Sequence, residues 1–196
     1  MKFGFKGSFA VLEEENGFGF SSFYNAASMA LFERMTTQPN VARKVAINNF
    51  IQGCIYDGNW ALMDAMWFMA AATQQAATLN WKSAIYNLTE ESSPAWQADR
   101  GYTGNGTSSY LSTGFNLSTN GVNYLLNSAS MGVYSRTDLN NATADMGVWE
   151  SALSLRAFLN SRSSGNFVSQ GLNDGTSSSQ AVDDSLALFS SVRTNS

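Results

Sequence analysis

Residues 73–88, TQQAATLNWKSAIYNL, hold two textures side by side, and the border between them falls at Trp81. Thr73 offers a side-chain oxygen suited to a helix N-cap, and the Gln and Ala residues behind it are good helix formers. A short helix ending near Asn80 is therefore expected. From Trp81 onward, short apolar runs are bounded by Ser, Gly and Asn, the punctuation of strands and turns. The chain thus reads as α+β, with an extended N-terminal arm over 1–21, a small helical bundle over 22–80 and an antiparallel β-sandwich over 81–196.

Upstream of this border the apolar residues keep helical time. Tyr24, Ala27, Ser28, Leu31 and Met35 mark a first helix, with Ser22 or Asn25 near its start. Pro39-Asn40 ends it and opens a second, whose stripe is Ile47, Phe50, Ile51 and Cys54, and Asp57-Gly58 punctuates the end. Asn59 is read as the cap of a third helix running to about residue 71. There Leu62, Met63, Met66, Trp67, Phe68 and Met69 cover nearly the whole circumference, as in a helix buried inside a bundle or an assembly. Met63, Met66 and Met69 suit core or interface packing better than a cofactor site. Asp64, the one acid of that segment, is expected to cap or orient a neighbour.

Downstream, residues 83–88 alternate weakly and 95–98 carry Trp96. Tyr110, Leu111 and Phe115 flank further turns, residues 131–134 and 146–149 read as strands, and 182–192 is the last such run. Residues 153–159 are compatible with a helix. Regularly spaced short strands favour a sandwich. At the other end, Phe3, Phe5 and Phe9 share one parity before Glu13-Glu14-Glu15 and the turn signal Asn16-Gly17. Such an arm needs a surface to bury its rings against, either the following domain or another subunit.

Composition narrows the function. Of 196 residues 44% are hydrophobic, enough for a core, but only 13% are charged, where average domains carry roughly a quarter. The polar surface must come from Ser, Thr, Asn, Gln and Gly, a habit of β-rich surface and assembly proteins. Net charge is −4, and the eleven Lys and Arg residues are scattered apart from Arg43-Lys44, so nucleic acid is not an expected partner. There is no histidine, which excludes Ser–His–Asp and Cys–His hydrolases and histidine-ligated zinc. The single cysteine, Cys54, forms no internal disulfide and is expected to be a buried, inert thiol. No secretory signal is read at the N-terminus. The longest apolar stretch, 65–72, is far short of the ~20 residues of a span, so membrane insertion is not expected. The sequons at Asn87, Asn105, Asn116 and Asn141 are attributed to chance.

Candidate chemistry is sparse. Residues 101–106, rich in glycine, lack the Lys of a phosphate loop and read as a β-turn organised by Asp99 and Arg100. Asp99, Asp138, Asp145 and Glu150 supply carboxylates without a spacing that shows any pair converging. Asn173-Asp174 and Asp183-Asp184 lie in loops where calcium could find oxygen ligands, but EF-hand spacing is absent. Trp96, Tyr102 and Tyr110 flank the Gly-rich turns and offer faces for sugar rings, with core packing as the plainer reading of each. No catalytic residue, ligand-binding residue, metal ligand or cofactor is assigned.

One resemblance adds to this reading. The pattern ALFERM at 30–35, Ile47-Asn-Asn-Phe-Ile51, WALMDAMW at 60–67 and AATLNW at 76–81 continues through Ser93-Pro94, DRGYTGNG at 99–106 and YLSTGF at 110–115. It resembles a group of tailed-bacteriophage virion proteins whose β domain is a concanavalin-like, laminin-G-like jelly roll, over about residues 30–134. The resemblance implies a tail- or fibre-associated virion component, assembled in the host cytoplasm from copies of itself and other virion proteins. It also implies a host-surface glycan or receptor as ligand, and no catalytic residue. Members of that group continue through more strands after a segment like 186–194, so the jelly roll is expected to be shortened here or completed by a neighbour. The alternative is a carbohydrate-active enzyme on the same fold, using two carboxylates.

Overall fold

The computed structural model describes residues 23–125, 128–149, 156–170 and 177–194. The Phe-rich segment 1–21, Glu150 and Asn173-Asp174 lie outside the described residues. Among the described residues are five helices and ten strands, with four helices first and the fifth between the fourth and fifth strands, and every strand pair is antiparallel. The described chain is α+β with most of its regular structure in strands.

Side-chain caps set the helix starts. Helix α1 (Ala26–Phe32) begins at Asn25, whose side chain accepts from the Ser28 N–H at 2.9 Å. The Asn25 N–H donates in turn to Asn48 Oδ1 at 2.8 Å, which ties the cap to the next helix. Asn40 caps that helix, α2 (Val41–Tyr56), by accepting from Arg43 N–H at 2.9 Å. It ends at Asp57, and Gly58 takes the left-handed φ of +75° that a side chain would resist. Helix α3 (Asn59–Leu62) is a single turn with Gly58 at its cap position, so Asn59 is its first residue and not its cap. Helix α4 (Gln74–Thr78) follows Thr73, which accepts from Ala76 N–H at 3.2 Å as the sequence leads one to expect.

The third helix of the sequence reading is therefore corrected to one turn. After Leu62 the backbone becomes extended at Met63, and residues 63–73 carry no helix. Two interactions compete with the helical ladder there. Met66 donates its N–H to Asn80 Oδ1 and accepts from Trp81 N–H at 2.8 Å, and Trp67 forms an antiparallel bridge with Asn80. A helix apolar on every side needs neighbours on every side. The irregular path lets Met66 and Ala71 pack on the core while Leu62 and Phe68 keep to its edge. The core itself joins Leu31, Phe32 and Met35 of the first segment to Ile47 and Ile51 of α2 and to Ala76, Leu79 and Trp81.

The strands form four small sheets. Strands β1 (Thr89–Glu91) and β4 (Tyr110–Ser112) pair, and β2 (Ala95–Gln97) makes a hairpin with β3 (Gly101–Thr103). A short helix α5 (Leu117–Asn120) precedes β5 (Ala129–Tyr134). Strands β6 (Met146–Trp149), β7 (Arg156–Ser163), β8 (Asn166–Gln170) and β9 (Ser178–Ala181) form a four-stranded meander. Its β7–β8 turn has two residues, Ser164 and Gly165, both at positive φ, the geometry of a type I′ hairpin. Strand β10 (Leu188–Arg193) returns to pair with β5 over six positions, and this ribbon meets the meander through Phe189 and Phe167, whose ring centroids lie 5.1 Å apart.

Three strand expectations change. No strand forms over 83–88, where Tyr86 sits at positive φ. The helix-compatible run 153–159 is strand from Arg156 onward. The last run, 182–192, becomes strand only at Leu188, and it has a partner within the chain. Ser185 explains the late start. Its buried hydroxyl donates to Thr137 O and accepts from Leu139 N–H, both at 2.8 Å, which holds the preceding residues as a loop.

Candidate ligand-binding site

Asn80 organises the region where helices give way to strands. It is fully buried, and its Oδ1 accepts from the N–H groups of Met66 and Lys82, both at 3.1 Å. Its Nδ2 donates to Ser83 Oγ at 3.0 Å and Ile85 O at 2.9 Å, while its own N–H donates to Asn87 Oδ1 at 2.9 Å. Each polar group of the amide is thereby matched, as a buried amide requires. The hub places Trp81 beside Phe68, stacked at 4.6 Å, with Phe50 of α2 edge-on to Phe68 at 5.2 Å and to Trp81 at 6.0 Å.

Beside this aromatic cluster lies a cavity of about 240 Å³ between α2, residues 68–72 and α4. Ala46, Ala70, Ala71, Ala72 and Ala76 keep its walls short, and Met35 and Pro39 close one side. Arg43 is the charged group of the lining, and it is bound at 2.7 Å to Asp99 in the β2–β3 turn. That turn is pinned to the same wall, because Asp99 N–H donates to Ala71 O at 2.8 Å and Gly101 comes close to Met69. The expected β-turn over 101–106 organised by Asp99 and Arg100 is corrected: 101–103 form β3, and Asp99 precedes it in the β2–β3 turn, where it fastens the first hairpin to the helical region.

The three aromatics of the sequence reading separate. Trp96 and Tyr102 are cross-strand partners in the β2–β3 hairpin. The Tyr102 hydroxyl donates to Glu90 Oε1 at 2.5 Å, and Gln74 Nε2 donates to both Glu90 oxygens at 2.8 Å. Burial, and then the Glu90 carboxylate, push the Tyr102 phenol well above its ordinary range. Tyr110 stands apart in β4, opposite Glu91, with 59% of its surface exposed. The Gly104–Gly106 region is a turn held by Asn105, whose Oδ1 accepts from the N–H groups of Thr107, Ser108 and Ser109.

The acids serve local structure. Asp138 accepts from Arg162 at 2.9 Å and from Ser185 N–H at 3.2 Å; the Ser185 backbone bond and then Arg162 hold its carboxyl below the usual range. Asp145 accepts from Ser161 N–H at 2.6 Å, and Asp184 from Leu186 N–H. Asp64, expected to cap or orient a neighbour, caps no helix and instead orients the loop after α5, taking the N–H groups of Val122, Asn123 and Tyr124, each at about 2.9 Å, and the Asn123 amide. Burial raises its carboxyl, and these bonds outweigh that and hold it below its ordinary value. Burial of the neighbouring Tyr124 pushes its phenol up to about 12.

Among the described residues no group of three or more acidic or cysteine side chains is gathered as a metal site, and no helix is long and apolar enough to cross a membrane. Cys54 is half-buried on the flank of α2, less enclosed than its apolar neighbours suggest. Sequence reasoning missed Asn80 and the Glu90–Gln74 pair, since a lone amide or acid at a texture border carries no local signature. Comparison with protein-family models, curated proteins and solved structures returns no match to this chain.

Proposed function

We propose that the chain is a structural component of a bacteriophage virion, tail- or fibre-associated, built from several copies and presenting its β region to a host-surface glycan. The observation that carries the assembly part is strand β9, Ser178–Ala181. It lies at the edge of the four-stranded sheet, all four residues are exposed, and none is charged or proline. Monomeric proteins usually blunt such an edge with charge, proline or a covering element. The outer face of the β5–β10 ribbon adds to this, with the cross-strand pair Leu188 and Tyr134 exposed beside Val192. The ribbon facing the meander supports a two-layer β-sandwich, and the resemblance over residues 30–134 supports the virion assignment. Tyr110 beside Glu91 offers an aromatic face next to a carboxylate acceptor, the chemistry a sugar ring uses. The structural engagement of Asp99, Asp138 and Asp145 favours binding over hydrolysis.

Sedimentation of the isolated chain at micromolar concentration tests the assembly reading. An oligomer is expected, and replacing Ser178 and Gln180 together by Lys should shift it toward monomer. A stable monomer in the unaltered chain sinks the proposal. For the ligand, binding to bacterial surface polysaccharide should fall with Tyr110→Ala, with no release of reducing ends by either protein.

A further inference from the structure

We infer that the cavity between α2, residues 68–72 and α4 binds a small uncharged carbonyl compound, a ketone or ester on a flat apolar body, whose oxygen accepts from Trp81 Nε1. This is independent of the virion reading. The lining has two zones. Met35, Ile47, Ala76 and Trp81 form a floor, each more than nine-tenths buried, while Ala46, Phe50, Phe68, Ala70 and Ala72 make an exposed mouth. An apolar cavity of about 150 Å³ already holds benzene, so one of about 240 Å³ holds a substituted single ring.

One polar atom decides the class of ligand. Trp81 is 8% exposed, and its indole Nε1 is buried with no hydrogen-bond partner among the described residues. Buried donors are nearly always matched, so a residue of the cavity floor that keeps one unmatched calls for an acceptor on the occupant. The indole N–H is uncharged and donates only, so it rewards an acceptor oxygen and offers nothing to a ligand's own donors. Carboxylates and phosphates are disfavoured. Arg43, the charged residue of the lining, is already bound to Asp99 at 2.7 Å, and an ion would lose its water without gaining a free counter-charge. A sugar, with a hydroxyl on most of its carbons, would meet walls that are largely hydrocarbon. The flatness of the ligand follows from the rings around it. Phe68 stacks on Trp81 at 4.6 Å, and Phe50 stands edge-on to both, which favours a planar body laid against aromatic faces.

Acetophenone and α-methylstyrene test this, because the second replaces the carbonyl oxygen of the first by a methylene group and changes little else. Titrated into the full chain and followed by nitrogen-edited NMR, acetophenone should bind saturably and move the Trp81 indole N–H resonance downfield. That resonance is the one missing from Trp81→Phe. Acetophenone should bind about fivefold more tightly than α-methylstyrene, the weight of one matched hydrogen bond. In Trp81→Phe the two should bind alike, and Ala46→Trp, which plugs the exposed mouth, should abolish both. If Trp81→Phe fails to fold, the resonance is assigned through its proximity to Phe68, and the preference in the unaltered chain decides. Failure of acetophenone to saturate, equal affinity for the two compounds, or a Trp81 N–H that does not move overturns the inference.

Discussion

The helical region and the β region bury different things. Around α1, α2 and α4 the enclosed positions are Leu31, Phe32, Met35, Ile47, Ile51, Leu79 and Trp81, large apolar side chains in contact with one another. Around the meander, among the described residues, they are Ala157, Leu159 and Phe189, together with the polar Asn160, Ser161, Ser169, Gln170 and Ser185. Full burial of a large apolar side chain contributes about 1.5–3 kcal/mol, whereas a matched hydrogen bond contributes nearer 1 kcal/mol. The first region can therefore hold itself together by packing. The second relies on its ladders, on Asp138, Asp145 and Ser185 threading its loops, and on whatever covers Leu188, Val192 and Tyr134.

The largest effect expected from breaking this contrast lies in the helical region and uses its one polar exception. Asn80→Leu removes the acceptor for Met66 and Lys82 N–H and the donor to Ser83 and Ile85 while keeping similar volume. Buried unmatched groups cost about 1–3 kcal/mol each, so a loss on the order of 3 kcal/mol is expected. Denaturant unfolding followed by tryptophan fluorescence reads it directly, because Trp81 adjoins the site. A midpoint within error of wild type would mean that the amide network adds nothing to the packing beside it.

Leu159→Ala is the matching test in the β region. Leu159 is fully buried in β7, and its neighbours Asn160, Ser161 and Ser169 would have to close around the space left. A loss of about 2–3 kcal/mol is expected, the lower part of the usual range for such a truncation. Calorimetry should show the change in a lower-temperature transition separate from that of the helical region. A single transition shifted as a whole would show that the two regions melt as one.

The helical caps were legible because Asn25, Asn40 and Thr73 act within three residues of themselves. The run through Met63, Met66 and Met69 misled because apolar content on every side fits a buried helix and a zigzag over a core equally well. What decided between them was Asn80, about fourteen residues away, taking the Met66 N–H. The same limit applies to the last strand: β10 finds β5 across more than fifty residues, and nothing within 182–192 announces that partner. The cavity escaped for the same reason, since Ala46, Ala72 and Phe68 meet only in the folded chain. Asp64 was legible as an acid that caps or orients a neighbour, but the loop that it holds was not.

The smallest effect expected is at that acid, and its sign is set by the carboxyl being held below its ordinary value in the folded chain. Unfolded, an aspartate titrates near about 3.9. Its contribution is then fully present above that pH and fades as pH falls through the lower folded value. Three backbone N–H groups at residues 122–124 lose a charged acceptor when the carboxyl is protonated, so the segment leading from α5 toward β5 should loosen first. Much of the Asp64 carboxylate remains open to water, which weakens each bond, and the contribution is on the order of 1 kcal/mol after that screening. Asp64→Asn should therefore cost about that much at pH 7 and progressively less below about pH 4, as the unfolded wild type takes up its proton first and the folded chain follows at its lower value. Hydrogen exchange at Val122, Asn123 and Tyr124 reads the effect residue by residue. A difference between wild type and variant that stays constant from pH 7 down to pH 3 would show that the carboxylate charge is not what holds this turn.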